Sequence, residues 1–174
     1  MSAIRHLYAH LPFCASRCGY CAFVVHVDAL DRRDAYLGAL RAELRAEGGA
    51  LGALETVYLG GGTPTLMRPR RLRALLDDVR PRLAEGAEVS IEANPETVDA
   101  RALADLREMG VNRLSLGVQS FQGHLPEALD RAATPDQVRR AADCARAAGF
   151  TDLSIALIFG IPSQSPADIL AAPA

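Results

Sequence analysis

Apolar and polar positions along this chain follow two periods in alternation. Residues 7–11 make a short apolar run that predicts a strand leading straight into a cysteine-rich loop. Residues 31–47 carry Tyr36, Leu37, Leu40 and Leu44 at helical spacing, and Gly48 and Gly49 are expected to stop that helix. Residues 56–59 form a buried-type strand, cut off by Gly60-Gly61-Gly62. Residues 70–83 predict a helix with Leu72, Leu75, Leu76 and Val79 on one face, and residues 89–93 a third strand. Residues 99–109 predict a helix with Asp99 as its N-cap, and residues 113–118 a fourth strand. Residues 135–148 predict a helix that opens on Pro135 and ends at Gly149, and residues 153–159 a fifth strand closed by Gly160-Ile161-Pro162.

Strands and helices alternating across short connections imply parallel βα units. Five strands are visible, against about eight in a full βα barrel; a doubly wound sheet is the other arrangement. Both gather ligands at the carboxyl ends of the strands, where Cys14, residues 60–63, residues 92–95, Gln119 and Gly160 stand. Their common location makes them one candidate site. Residues 165–170 look like the first turn of a further helix, after which the chain ends. The expectation is therefore a sheet truncated after about its fifth strand, with an exposed edge as the physical cost.

The composition narrows the class without choosing the chemistry. With 174 residues, 49% hydrophobic and 23% charged, the chain can bury one core. A net charge of −2 implies no nucleic-acid partner and no attraction to an acidic membrane. No apolar run resembles a signal peptide or approaches the roughly 18 residues of a membrane helix, so a cytoplasmic protein is expected. In that reducing compartment, cysteines are expected as ligands and not as disulfides. Every basic side chain among the Lys+Arg total is Arg.

Three of the four cysteines lie within eight residues, Cys14-Ala15-Ser16-Arg17-Cys18-Gly19-Tyr20-Cys21. Iron–sulfur clusters usually take four cysteines. Three thiolates on one loop can each hold one iron of a [4Fe–4S] cluster and leave the fourth iron open to a substrate or cofactor. The alternatives are a zinc site completed by His10 or His26, or inert thiols. Cys144, inside a predicted helix, is expected as a small buried hydrophobe.

The run from Tyr8-Ala9-His10-Leu11-Pro12-Phe13-Cys14 to Cys21 resembles the signature loop of radical SAM proteins related to oxygen-independent coproporphyrinogen III oxidase. Further motifs follow in the family's order: Tyr58-Leu59-Gly60-Gly61-Gly62-Thr63-Pro64-Thr65, Glu92-Ala93-Asn94-Pro95, Gly117-Val118-Gln119-Ser120-Phe121 and Phe159-Gly160-Ile161-Pro162. The resemblance implies a partial six-stranded radical SAM barrel, of which residues 1–174 are the N-terminal part, with the sixth strand and C-terminal domain absent. It implies a cluster on Cys14, Cys18 and Cys21 whose open iron chelates S-adenosylmethionine (SAM), and an electron that breaks a carbon–sulfur bond of SAM to give a 5′-deoxyadenosyl radical. The family's oxidases carry another cysteine two residues after the third and a longer lead-in. Here Ala22 and Phe23 follow Cys21, as in the family's heme-chaperone branch.

By the same resemblance, Tyr8, Tyr20, Gly61, Gly62, Thr63, Glu92, Gln119 and Arg131 would contact SAM, some of them a second SAM. Bland alternatives stand beside these: an ordinary glycine turn, a solvated strand-end Glu92, a core Tyr8, a Tyr20 that only covers the cluster, and an Arg131 that is a surface charge. His10 is expected to be structural. Two positions depart from the family pattern: Ala133 replaces a usual His and Ala156 a usual Asp that contacts SAM, which counts against a second SAM. Three functions follow: a heme chaperone binding SAM and heme, a coproporphyrinogen oxidase decarboxylating propionates, or a non-functional fragment. Partners would be SAM, heme or a porphyrinogen, an electron donor and a heme-accepting protein.

Overall fold

Alternate residues of the central strands are apolar and polar, and the sheet is built on that period of two. The computed structural model describes residues 3–122, 125, 129 and 133–170. Strands β1 (Ile4–Leu11), β2 (Leu51–Gly61), β3 (Leu83–Ala93), β4 (Arg113–Gln119) and β5 (Asp152–Leu157) form one sheet in sequence order, every neighbouring pair parallel. Helices α1 (Arg33–Ala46), α2 (Pro69–Val79), α3 (Ala100–Glu108) and α4 (Pro135–Ala147) fill the crossovers, and a short α5 (Pro166–Leu170) follows β5. Right-handed crossovers repeated in one direction stack their helices on one face of a sheet. Leu59, Ile91, Leu114 and Leu116 are fully buried in the core between sheet and helices. The intervening residues Tyr58, Glu92, Arg113 and Ser115 make the other face polar. This is the α/β, partial-barrel architecture expected from the sequence.

The polar face is braced at its lower end. Arg113 donates to the hydroxyls of Ser90 (3.4 Å) and Ser154 (3.2 Å), and pairs with Glu88 and Asp152 at 3.6 and 3.3 Å. This network lets Ser90 be wholly buried, since buried polar groups need partners. No helix among the described residues is long and apolar enough to cross a membrane.

Several predicted boundaries move. Gly60 and Gly61 do not cut β2 off; they pair with His10 and Leu11 as its last two residues, because a backbone ladder needs no side chain. β3 begins at Leu83, ahead of the predicted start, through a polar stretch containing Gly86 at φ +72° that no apolar period reveals. The helix predicted to reach residue 83 ends at Val79 and tightens into a 3₁₀ turn, Arg80–Arg82, around Pro81. Gly48 and Gly49 sit inside a 3₁₀ turn, Glu47–Ala50, that continues α1. β5 stops at Leu157.

The expected cap at Asp99 is present, and the structure adds a second at Thr134. Asp99 accepts from the Ala102 amide at 2.8 Å, and Thr134 with Gln137 forms a full capping box on α4. Cys144 is half-buried and packs against the core, as a small hydrophobe does. On β5, Ile155 is paired with the buried Leu116 yet is 40% exposed.

Candidate functional site

The cysteine loop is a closed detour between β1 and α1. Its neck is a parallel bridge between Phe13 and His26: the His26 amide donates to Pro12 O at 2.6 Å and the Cys14 amide to His26 O at 3.2 Å. Phe13 is buried and meets Tyr36 of α1 edge-on, ring centroids 5.5 Å apart. Within the loop the Cys21 amide donates to Cys18 O at 3.1 Å. A second tether is His10, whose Nε2 lies 3.0 Å from Val24 O. A carbonyl only accepts, so Nε2 carries the proton and Nδ1 accepts from the Tyr8 hydroxyl at 3.3 Å.

The loop rests on the glycine run. The Gly62 amide donates to Leu11 O at 2.9 Å and the Thr63 amide to Phe13 O at 2.7 Å. A Cβ at Gly62 would fall 2.7 and 2.8 Å from the Phe13 backbone O and N, so only glycine lets the two chains meet there. Thr63 is buried; its hydroxyl donates towards Cys14 Sγ at 3.7 Å and accepts from Asn94 Nδ2 at 3.1 Å.

Beside this junction Glu92 is held at both carboxylate oxygens. Tyr58 donates to Oε1 at 2.9 Å, and the Gly61 amide donates to Oε2 at 3.0 Å. Gly61 has φ +113°, which turns its amide to that carboxylate. Tyr8 stacks on Tyr58, centroids 5.9 Å apart and planes 19° from parallel. Burial, and then the Glu92 charge, push both phenols above the ordinary tyrosine range, so both remain protonated donors at neutral pH.

These groups share one cavity of about 450 Å³ at the carboxyl ends of the strands. Cys14, Cys18, Cys21 and Tyr20 line it from the loop, and Gly61, Gly62, Thr63, Glu92 and Gln119 from the strand ends. The bland alternatives therefore lose ground for the glycine run and for Glu92, neither of which is a plain solvated turn. Gln119, at φ +70°, sits on a register shift of β4 and accepts at its carbonyl from the Ile158 amide at 2.9 Å. Ala156 also lines the cavity, opposite Gly117, so no carboxylate stands at that place. Ala133 is buried.

Tyr8 is not a core tyrosine: it is 54% exposed, lies on the polar face and is outside the cavity lining. Arg131 lies outside the described residues. Sequence reasoning missed Tyr58 and Ser115, although both share strand parity with Glu92.

The donor set fits a four-iron cluster. All four cysteines are thiols, and Cys144 is remote from the loop on α4. Three thiols of one loop line one cavity, so each can supply one sulfur to an iron of a [4Fe–4S] cluster.

Comparison with known proteins agrees with this geometry. Residues 8–172 match the model of the radical SAM superfamily. The heme chaperone HemW of Mycobacterium tuberculosis H37Rv is 44% identical over 171 residues, covering 94% of this chain and 44% of the relative. The oxygen-independent coproporphyrinogen III oxidase of Pseudomonas aeruginosa is 36% identical over 169 residues, covering 92% of this chain and 36% of the relative. Among solved structures, coproporphyrinogen III oxidase from Escherichia coli, a radical SAM enzyme, superposes with a TM-score of 0.88 at 30% identity, over 98% of this chain and 41% of that one. The chain thus spans less than half the length of the relatives it matches.

Proposed function

The chain belongs to the radical SAM superfamily, and on that premise we propose that it binds a [4Fe–4S] cluster through Cys14, Cys18 and Cys21 and SAM through the strand ends, in the service of heme delivery. One observation carries the proposal: the three thiols open on the same cavity as the Gly61–Glu92 grip. When bound, the cluster supplies single-electron reduction of the SAM sulfonium.

The chain's own residues do the rest. The loop's three thiols would hold the cluster and would leave one of its irons without a protein ligand. Gly61 and Gly62 let the end of β2 pack against the His10 ring and the Phe13 backbone, which seats the loop beside the cavity. Glu92 offers its unused lone pairs to an ammonium or hydroxyl donor on SAM. Thr63 and Asn94 form a hydrogen-bonded chain to Cys14, and such bonds to cluster sulfurs tune potential. Tyr20 and Phe23 bring aromatic rings to the cavity wall.

Heme delivery is favoured over decarboxylation by Ala22-Phe23 where the oxidases carry a further cysteine, and the 44% identity to the M. tuberculosis HemW accords with it. A heme-accepting protein and an electron donor are the partners this activity requires.

The test is anaerobic reconstitution of the full chain. About four irons per chain, a spectral change on adding SAM and subsequent heme uptake are expected, and Cys14→Ala should abolish the cluster. Conversion of coproporphyrinogen without heme retention would transfer the chain to the oxidase function. Bound zinc without iron or sulfide would reject both.

A further inference from the structure

We infer that Tyr58 is a positioning residue for ligand binding: with the Gly61 amide it orients the Glu92 carboxylate so that its free lone pairs face the cavity. The inference rests on the proposal that Glu92 receives SAM, and it adds a residue outside the cavity lining.

The geometry is a two-point grip. An ionised carboxylate has about four acceptor positions on its two oxygens. Tyr58 at 2.9 Å and the Gly61 amide at 3.0 Å take one on each oxygen. A carboxylate fixed at both oxygens cannot rotate about its terminal torsion, which is otherwise broad. Its remaining acceptor positions are then aimed before any ligand arrives, and a preorganised acceptor binds its donor at lower entropic cost.

Tyr58 is itself held. Tyr8 stacks on its ring, with centroids 5.9 Å apart and planes 19° from parallel. Gly60 makes the pair possible: a Cβ there would fall 2.9 Å from Tyr58 Cε1 and 3.0 Å from Glu92 Oε2. Glu92 reaches the cavity while Tyr58 stays behind it, so Tyr58 acts through Glu92 and not by touching a ligand.

The experiment is a double-mutant cycle on the cluster-loaded full chain, reading the SAM dissociation constant by anaerobic equilibrium dialysis. Y58F should weaken SAM binding about tenfold, the scale of one hydrogen bond to a charged group. Iron content and melting temperature should not change. In the E92Q background, Y58F should add no more than about a twofold loss, because the carboxylate it orients is gone. A merely structural Tyr58 would give the same loss in both backgrounds. That result, or wild-type affinity in Y58F, overturns the inference and leaves the proposed function standing. A cluster-loaded wild type that binds no SAM overturns both. Should Y58F fail to load its cluster, G60A takes its place in the same cycle, since its methyl group separates Tyr58 from Glu92.

Discussion

The cysteine loop and the strand-end shelf beneath it face the same cavity but are fixed in opposite ways. The shelf, Gly60 to Thr63 with Glu92, is sheet backbone: Gly60 and Gly61 are paired in the ladder, and Glu92 is gripped at both oxygens. The loop from Cys14 to Val25 has no regular structure and hangs from its neck at Phe13–His26 and from His10. On the proposed function, the fold builds outright the half of the site that would face SAM. The half that would hold the cluster is outlined by the chain and would be completed by the group it binds, as when metal binding is coupled to folding. Changes at the shelf should alter ligand affinity, and changes in the loop should alter cluster loading.

The sharpest way to break this division is at the place where the two regions touch. In Gly62→Ala the new methyl meets backbone atoms of Phe13 and Leu11 at 2.7 to 3.0 Å, and backbone cannot swing aside. The substitution should destabilise the chain by about 1–3 kcal/mol, the usual cost of overpacking. It should also lift the loop and cut iron loading severely. Chemical denaturation of the apo chain and iron content after reconstitution check the two halves. Normal loading in G62A would show that the loop does not depend on the shelf.

A gentler probe acts on the loop alone. His10→Ala removes the bond to Val24 O, but Val24 is 70% exposed and water replaces the lost donor. Stability should fall by about 1 kcal/mol or less. Cluster assembly should slow, since the loop loses its second tether, while SAM affinity of the fully loaded fraction stays unchanged. His10→Gln, whose amide can still donate to that carbonyl, should recover much of the assembly rate. The measurement is the rate of iron incorporation set beside a thermal melt.

How far each region was legible in the sequence follows from the same contrast. The loop's chemistry is carried by contiguous residues, so Cys14, Cys18 and Cys21 announce it without any knowledge of the fold. The alternation of periods also sufficed for five parallel strands, and residue type for the cap at Asp99; the capping box at Thr134 was not foreseen. The shelf was only half visible. Glu92 and the glycines stood out, but Tyr58 reaches Glu92 across 34 positions, and only strand register brings them together. Gly60 and Gly61 misled because glycine is usually punctuation, and here they remain in the ladder. Tyr8, which the resemblance puts at SAM, stands by strand parity on the polar face beside Tyr58 and outside the cavity lining.

The smallest effect is expected far behind the site, where the helix that follows the loop is clamped to the helix that follows the shelf. Asp78 of α2 accepts from Arg41 of α1 at 2.6 and 3.1 Å, and from Arg45 at 3.1 Å. Hydrogen bonding and charge from Arg41, then the Arg45 charge, hold the Asp78 carboxyl below its usual range despite partial burial. A carboxyl depressed in the folded chain stabilises it at any pH above the unfolded carboxyl value. That stabilisation fades as pH falls through the folded value. The clamp is therefore complete at neutral pH and is lost only in acid, below about pH 4. Asp78→Asn should cost about 1 kcal/mol or less at pH 7, because both arginines still reach solvent, and should cost nothing once the wild-type carboxyl is protonated. Melting curves of the two proteins should separate at neutral pH and converge in acid. Cluster loading and SAM affinity should be equal in both. If D78N instead impaired loading, the loop would be drawing its shape from the helix behind it, and the separation of a built shelf from a borrowed loop would have to be redrawn to include α1.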